Sequence, residues 1–347
     1  MTAVPLRTSD GTTLRVETRT SLPALGGLYA RGAASSGRIA AGRALPSLPV
    51  VGSGRSGGTE EPAADQVLTL PDVAYRVTGV ATDGLGRHLH DYQRLLHEPV
   101  GDVLPAGYLH VLAFPLATAV MVRPDFPLPL LGLVHLANAV ELRGPVRLGD
   151  TLEVRAWAEN LRPHRRGVQV DLVAEVRADR PGFDGSPTTP LWRGVSTYLA
   201  KGFSLSVSED VPGGDDAAAE ATASRSQDWQ PPLPTGRWAL GPGTGRAYGA
   251  VSGDRNPIHL SALSAKAFGF PRAIAHGMYT AARALADVGH ARGDAYRWTV
   301  EFAKPVLLPG TVDVAVTPAG ADGGGFAYVG WNGRRSQRHF SGAVTPL

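Results

Sequence analysis

Apolar positions along the chain fall into two patterns. His110 to Val122 (HVLAFPLATAVMV) is apolar almost throughout, and a run of that length predicts a buried helix rather than a strand. Pro115 lies inside it. Proline is tolerated best in the first helical turn, so the regular helix is expected to start near Phe114. The second pattern is a series of shorter segments: Leu133 to Leu142, Thr151 to Asn160, Gly167 to Arg177 and Leu191 to Lys201. In the third of these, Val168, Val170 and Leu172 alternate with Gln169 and Asp171, as in a half-buried antiparallel strand. Residues 67–70 and Val73 to Val80 predict two more short strands, and Asp91 to His97 a helical turn. A helix followed by consecutive strands predicts an α+β fold with an antiparallel sheet, not a doubly wound parallel one.

Polar and small-residue stretches divide the chain. Residues 1–65 read as a partly ordered extension. Within it Ser53 to Asp65 (SGRSGGTEEPAAD) is linker-like, while Leu22 to Gly32 (LPALGGLYARG) is apolar enough to dock on a surface. Ser206 to Gln230 is acidic and rich in small residues and reads as a second linker. The expected units are 66–205 and 231–347. An internal repeat ties them together. VELRGPVRLGDTLEV from Val140 and VEFAKPVLLPGTVDV from Val300 align without a gap, with seven of fifteen positions identical. Upstream, matching His110 to His276 and Tyr92 to Tyr248 leaves the first copy ten residues shorter, in the region that holds Asp254 and His259 in the second. The first copy is therefore expected to have lost its chemistry and to line space for something else.

At 347 residues, 43% of them hydrophobic and 19% charged, the chain is long enough for two folded units. A formal net charge of +3 gives no concentrated basic face for nucleic acid. There is no cysteine, which excludes disulfides, thiolate metal sites and cysteine nucleophiles. No apolar run reaches the roughly 20 residues of a membrane span, and the N-terminus has no secretory h-region, so a cytoplasmic protein is expected.

Candidate chemistry gathers between Tyr248 and Met278 (YGAVSGDRNPIHLSALSAKAFGFPRAIAHGM). Ser252, Gly253 and Asp254 follow a helix-like run, and Asn256-Pro257 stops it. His259 is then expected on a short overhanging loop beside Asp254. Ser261 suits the N-cap of a short helix through Phe268, with Gly269 as its C′ residue. A carboxylate and an imidazole held together can share a proton-transfer task. Gly277, after His276, opens the next helix, whose free N–H groups would stabilise an oxyanion. Taken pair by pair, Asp followed by Asn-Pro is commonly only a turn, and a histidine before a helix is commonly a cap. His88 and His90 lack the helical spacing of metal ligands. The Gly241 to Gly245 run has no βαβ context, and Ser252 has no nucleophile elbow. Arg162 to Arg166 (RPHRR) reads as a solvated turn or as an attractor for an acidic carrier protein or a CoA phosphate.

Tyr248…Ser252-Gly253-Asp254-x-Asn256-Pro257-Ile258-His259…Ala267-Phe268-Gly269-Phe270…Ile274-x-His276-Gly277 resembles the signature of the MaoC-like (R)-specific enoyl-CoA hydratase family. Over most of residues 66–347, and at Gly27-Leu28-Tyr29 of the extension, the chain is similar to that family's double-hotdog members, which include (3R)-hydroxyacyl-ACP dehydratases. Features of the first copy, at Tyr108 to Pro115, Gly132 to Asn138 and Asn160 to Gly167, carry the same likeness. The resemblance implies two hotdogs side by side, each a helix wrapped by an antiparallel sheet. It implies reversible hydration of trans-2-enoyl thioesters to (3R)-3-hydroxyacyl thioesters in fatty-acid metabolism. Asp254 and His259 would be the catalytic pair and Gly277 the oxyanion amide. Ser252, Asn256, Tyr248, His276 and Phe270 would shape the loop or bind substrate. No metal or redox cofactor is expected, because the substrate carries its own CoA or acyl carrier protein pantetheine. Acyl carrier protein as partner and a homodimer of double hotdogs stay open, as do a non-catalytic acyl-thioester-binding protein and a hotdog thioesterase.

Overall fold

Strand pairing builds one sheet from both halves of the chain. The computed structural model describes residues 5–33, 68–178, 189–205, 229–319 and 324–347. Its strands are β1 (Arg15–Arg19), β2 (Val73–Ala81), β3 (Leu133–Leu142), β4 (Thr151–His164), β5 (Gly167–Ala178) and β6 (Trp192–Lys201), then β7 (Gly236–Leu240), β8 (Tyr296–Phe302), β9 (Gly310–Pro318), β10 (Phe326–Asn332) and β11 (Gln337–Pro346). They join in the order β1-β2-β4-β5-β6-β3-β8-β11-β10-β9-β7. From the centre outward, β3-β6-β5-β4-β2 mirrors β8-β11-β10-β9-β7. At the seam β3 and β8 run antiparallel, and Ala139 lies opposite Thr299. Those two positions are equivalents in the repeat, so a pseudo-twofold axis passes between them, as in an isologous dimer interface. All the pairs are antiparallel except β1 with β2, which is parallel.

Each half wraps a helix. The helix α1 covers residues 25–33, α2 is Gly86–Leu96 and α3 is Ala106–Met121. α3 is apolar all round and packs on β4 and β5, as a helix without a polar face must. It begins two turns earlier than expected and carries Pro115 in its interior. That proline forfeits one backbone bond, but full burial of Tyr108 and Leu109 and near-full burial of Leu112 hold the preceding turns. Residues 68–71 form no strand. β5 alternates only over its first residues and is then buried on both faces. Its outer face is covered by Leu6 and Leu14 of the N-terminal extension, which pack with Trp157 and Val173.

The fold corrects one equivalence. Leu104 N–H bonds Val146 O at 2.8 Å, and Ala275 N–H bonds Val306 O at 2.9 Å. Val146 and Val306 are repeat equivalents, so Leu104 matches Ala275 and Pro105 matches His276. His110 lies one turn inside α3 and has no such counterpart. The ring pairs agree: Tyr92 meets Tyr108 edge-on at 5.2 Å, and Tyr248 meets Tyr279 edge-on at 5.8 Å. Tyr92 to Pro105 spans 13 positions and Tyr248 to His276 spans 28, so the first copy is 15 residues shorter there, not ten.

Among the described residues no helix is long and apolar enough to cross a membrane. The linker expected at 53–65, and that at 206–230 apart from Trp229 and Gln230, lie outside the described residues.

Candidate active site

Side-chain caps build the loop that carries the acid and the imidazole. The helix α4 (Thr244–Ser252) ends at Gly253 in the left-handed conformation. Ser252 Oγ accepts the Asp254 N–H at 3.1 Å, and Asp254 Oδ1 accepts the Asn256 N–H at 3.1 Å. Asn256 Oδ1 accepts the Ile258 N–H at 3.4 Å. With Pro257 at the first helical position, that cap starts α5 (Pro257–Leu260). His259 therefore sits on a single helical turn rather than an overhanging loop. Ser261 caps α6 (Ala262–Ala267), accepting the Ser264 N–H at 3.1 Å. Phe270 N–H to Ala265 O and Gly269 N–H to Lys266 O, both at 3.0 Å, close its end in the Schellman pattern. This aims Phe270 at the cavity described below. Gly245 lets α4 and α5 touch: a Cβ there would stand 2.1 Å from the His259 carbonyl oxygen.

The imidazoles are held by backbone carbonyls. His259 Nδ1 lies 2.8 Å from Ile274 O. A carbonyl only accepts, so Nδ1 carries the proton and Nε2 keeps its lone pair. His276 Nε2 lies 3.0 Å from the Asp254 carbonyl oxygen and 3.8 Å from Oδ2. It ties the Asp254 backbone to the start of α7 (Gly277–Val288). The His259 and His276 rings stack at 3.6 Å, and Tyr248 lies against His276 at 4.9 Å. Burial lowers the pKa of both histidines, that of His276 to about 3, so both are neutral near pH 7. Burial works to raise the Asp254 pKa. His276, His259, a hydrogen bond from Tyr29 and the Asn256 amide overcome it and hold the carboxyl below its usual range.

Gly277 is the first residue of α7, where the N–H has no intrahelical partner. A Cβ there would stand 2.9 Å from the Phe302 ring. Only glycine lets β8 approach that helix end so closely. Asp254, His259, His276, Gly277, Ser252, Asn256, Tyr248 and Phe270 all line one cavity of about 530 Å³, within the 300–1,000 Å³ span of small-molecule sites. The carboxylate is 21% exposed into it.

The cavity also takes walls that the sequence pattern did not single out. Phe114, Met121 and Leu130 supply apolar surface from the first copy, alongside His110, His135 and Tyr198. His135 stacks on Tyr198 at 4.6 Å and meets Phe302 at 5.0 Å. Tyr29, from the extension, also lines the cavity and donates to Asp254 Oδ1 at 2.5 Å. The signal that could have found it is the helical spacing of Leu25, Leu28 and Tyr29, one apolar face at i, i+3 and i+4.

A family model described as MaoC like domain matches residues 218–327. Over 224 residues the chain is 38% identical to 3-hydroxyacyl-thioester dehydratase X of Mycobacterium tuberculosis, a match covering 65% of this chain and 72% of that protein. The crystal structure of HtdX from the same organism superposes with a TM-score of 0.64 at 32% identity, over 79% of this chain and 100% of that one. A MaoC-like dehydratase from Phytophthora capsici, 18% identical, shares the fold at a TM-score of 0.57 over 82% of this chain and 97% of its own. With a helix-wrapped antiparallel half-sheet in each copy and the two copies joined about a pseudo-twofold, the chain is a double hotdog of the MaoC-like dehydratase family.

Proposed function

We propose that this chain is a hydro-lyase that interconverts trans-2-enoyl and (3R)-3-hydroxyacyl thioesters, with Asp254, His259 and the Gly277 amide as its working groups. The observation that carries the reading is the meeting of three groups in one cavity: an ionised carboxylate, a neutral imidazole with a free Nε2, and an unpaired helix N-terminus. The relative's description as a 3-hydroxyacyl-thioester dehydratase supports the same substrate class.

In the dehydration direction the C2–H and C3–O bonds break, the C2=C3 bond forms, and the C2 proton departs on the hydroxyl as water. The Gly277 N–H polarises the thioester carbonyl and stabilises charge developing on its oxygen. His259 Nε2 takes the C2 proton and returns it to the departing 3-hydroxyl, which leaves as water held by the Asp254 carboxylate. One polar atom from each of Asp254, His259 and His276 lies within 4.8 Å of the other two. The two imidazole planes are 24° apart, with His259 Nδ1 turned to the Ile274 carbonyl and His276 Nε2 to the Asp254 carbonyl. That arrangement suits proton transfer.

His259→Gln and Asp254→Asn should each lower kcat by about 10²-fold or more with the circular-dichroism spectrum unchanged. Near-wild-type hydration of crotonyl-CoA by either variant overturns the assignment. The apolar wall of Phe114, Met121 and Leu130 supports acyl chains longer than C4, and a rate series from C4 to C16 enoyl-CoA tests this. A sharp fall after C4 refutes an open acyl channel. Exposed Arg166, Lys201 and Lys304 also line the cavity. They suit the phosphates of a CoA or carrier-protein pantetheine, and KM for an acyl-CoA should rise with ionic strength.

A further inference from the structure

We propose that Tyr29, contributed by the N-terminal extension, is a positioning residue for the Asp254 carboxylate. This deepens the hydro-lyase reading and rests on it. The Tyr29 hydroxyl reaches Asp254 Oδ1 at 2.5 Å across 225 positions of sequence, the length of a charge-assisted O–H···O⁻ bond. The Asn256 N–H donates to the same oxygen at 3.1 Å. Oδ1 is thereby held by two donors, and Oδ2 is the oxygen left for water and substrate. Burial and the neighbouring carboxylate push the Tyr29 pKa far up, so the phenol stays protonated and acts as a donor throughout the working pH range.

The phenol is held in place by its helix. Leu25 packs onto Gly253, where a Cβ would stand 2.8 Å from Leu25 Cδ1. Leu28 is fully buried in the core. Gly32 lies against Leu130 of the first copy, 2.5 Å from a Cβ built there. Just upstream, β1 is zipped onto β2. The extension thus runs from the edge of the non-catalytic half to the catalytic loop of the other. It completes a site that neither repeat makes alone.

The cavity's charged groups Arg166, Lys201 and Lys304 are solvent-exposed, and burial lowers the pKa of His339, while the buried titratable groups around Asp254 are neutral near pH 7. His259 and His276 come from its own unit, Tyr248 from α4, and His110, His135 and Tyr198 from the first copy. The acid limb of the kcat/KM profile therefore reports Asp254 and His259. Removing a donor to the carboxylate favours its protonated form, so that limb should move to higher pH.

The test pairs Tyr29→Phe, which keeps the ring and deletes only the hydroxyl, with 3-fluorotyrosine placed at residue 29, whose phenol is a stronger donor. Tyr29→Phe should lower kcat about 10-fold or more, the weight of one hydrogen bond to a charged group, with KM little changed and the acid limb at higher pH. The fluorinated protein should move the limb to lower pH. A purely structural tether would lower stability and leave both profiles on the wild-type curve. That result overturns the proposal, and so does a Tyr29→Phe enzyme with wild-type kcat. If Tyr29→Phe fails to fold, the fluorinated protein decides alone: a shifted limb supports the proposal and an unmoved one overturns it. Asp254→Asn, assayed in parallel, separates the two claims. If it keeps wild-type activity, the hydro-lyase reading fails. If it is inactive while Tyr29→Phe matches wild type, only the role of Tyr29 fails.

Discussion

Phe302 stands where a side chain on residue 277 would go. A Cβ at Gly277 would fall 2.9, 3.0 and 3.2 Å from three atoms of its ring, so Gly277→Ala has to displace either the ring or the first turn of α7. A displacement of that order at an oxyanion amide costs about 10²-fold in rate. The Phe302→Leu change in the same background frees the space and should recover part of the loss in kcat. Steady-state kinetics on the two variants checks this, and undiminished kcat in the Gly277→Ala enzyme would remove the amide from the mechanism. The spacing of Asp254, Asn256 and Pro257 showed in the sequence because each acts on the backbone at most a few positions away, and the turn they build sets the place of His259. The reason for glycine at 277 did not, since Phe302 is 25 positions downstream and reaches it only through the sheet.

At the scale of elements, the catalytic segment is a set of short helices that cap one another and pack through small residues. Gly245 is the tightest of these contacts. Its Cβ would meet the His259 carbonyl oxygen at 2.1 Å, backbone that cannot rotate away. Gly245→Ala should force α5 off α4, destabilise the fold by about 1–3 kcal/mol and displace the imidazole. Urea denaturation and kcat measured together should fall together, whereas a loss of stability with kcat intact would separate α4 packing from His259 placement. Most element limits were legible in the sequence: β3 falls on its expected residues, and β4, β5 and β6 come within a few. Periodicity and turn residues are local signals. The start of α3 was not legible, because a proline inside a helix is locally unfavourable and only burial on all sides outweighs it. The match of His110 to His276 failed for a related reason. Two histidines are conspicuous in sequence, but the equivalence is set by backbone bonds from Leu104 and Ala275 to the repeat.

At the scale of the whole molecule, the two halves bury histidines against each other. Burial lowers the pKa of His110 to about 4 and those of His135 and His276 to about 3. In the unfolded chain these groups titrate near 6.5. Their folded pKa values are depressed, so the unfolded state takes up protons first as pH falls. Stability is fully present above about pH 6.5 and declines progressively toward pH 3–4. Thermal melts from pH 8 to 4 should show Tm falling below about pH 6.5, and His135→Gln should flatten that fall. A Tm independent of pH over that range would place the histidines in water rather than in the core. Across the seam, Arg297 meets Glu141 at 2.5 Å, with the arginine side chain 56% exposed. An ion pair so exposed adds little, and the strand pairing of β3 with β8 holds the halves together.

The α+β pattern, the repeat, the run of strands in the first copy and the acid–turn–base loop follow from the chain, because each depends on periodicity, on a cap or on a comparison of two stretches of sequence. What the chain did not disclose is who stands across the cavity from that loop. Tyr29 on the Asp254 carboxylate, Phe302 on Gly277, and His135 with Tyr198 on the far wall are joined over 25 to more than 200 positions by sheet pairing and helix docking. A local hydrophobic pattern such as that of Leu25, Leu28 and Tyr29 shows that a segment docks but not against what, since any buried side chain of suitable size satisfies the pattern and only the packed fold selects the partner.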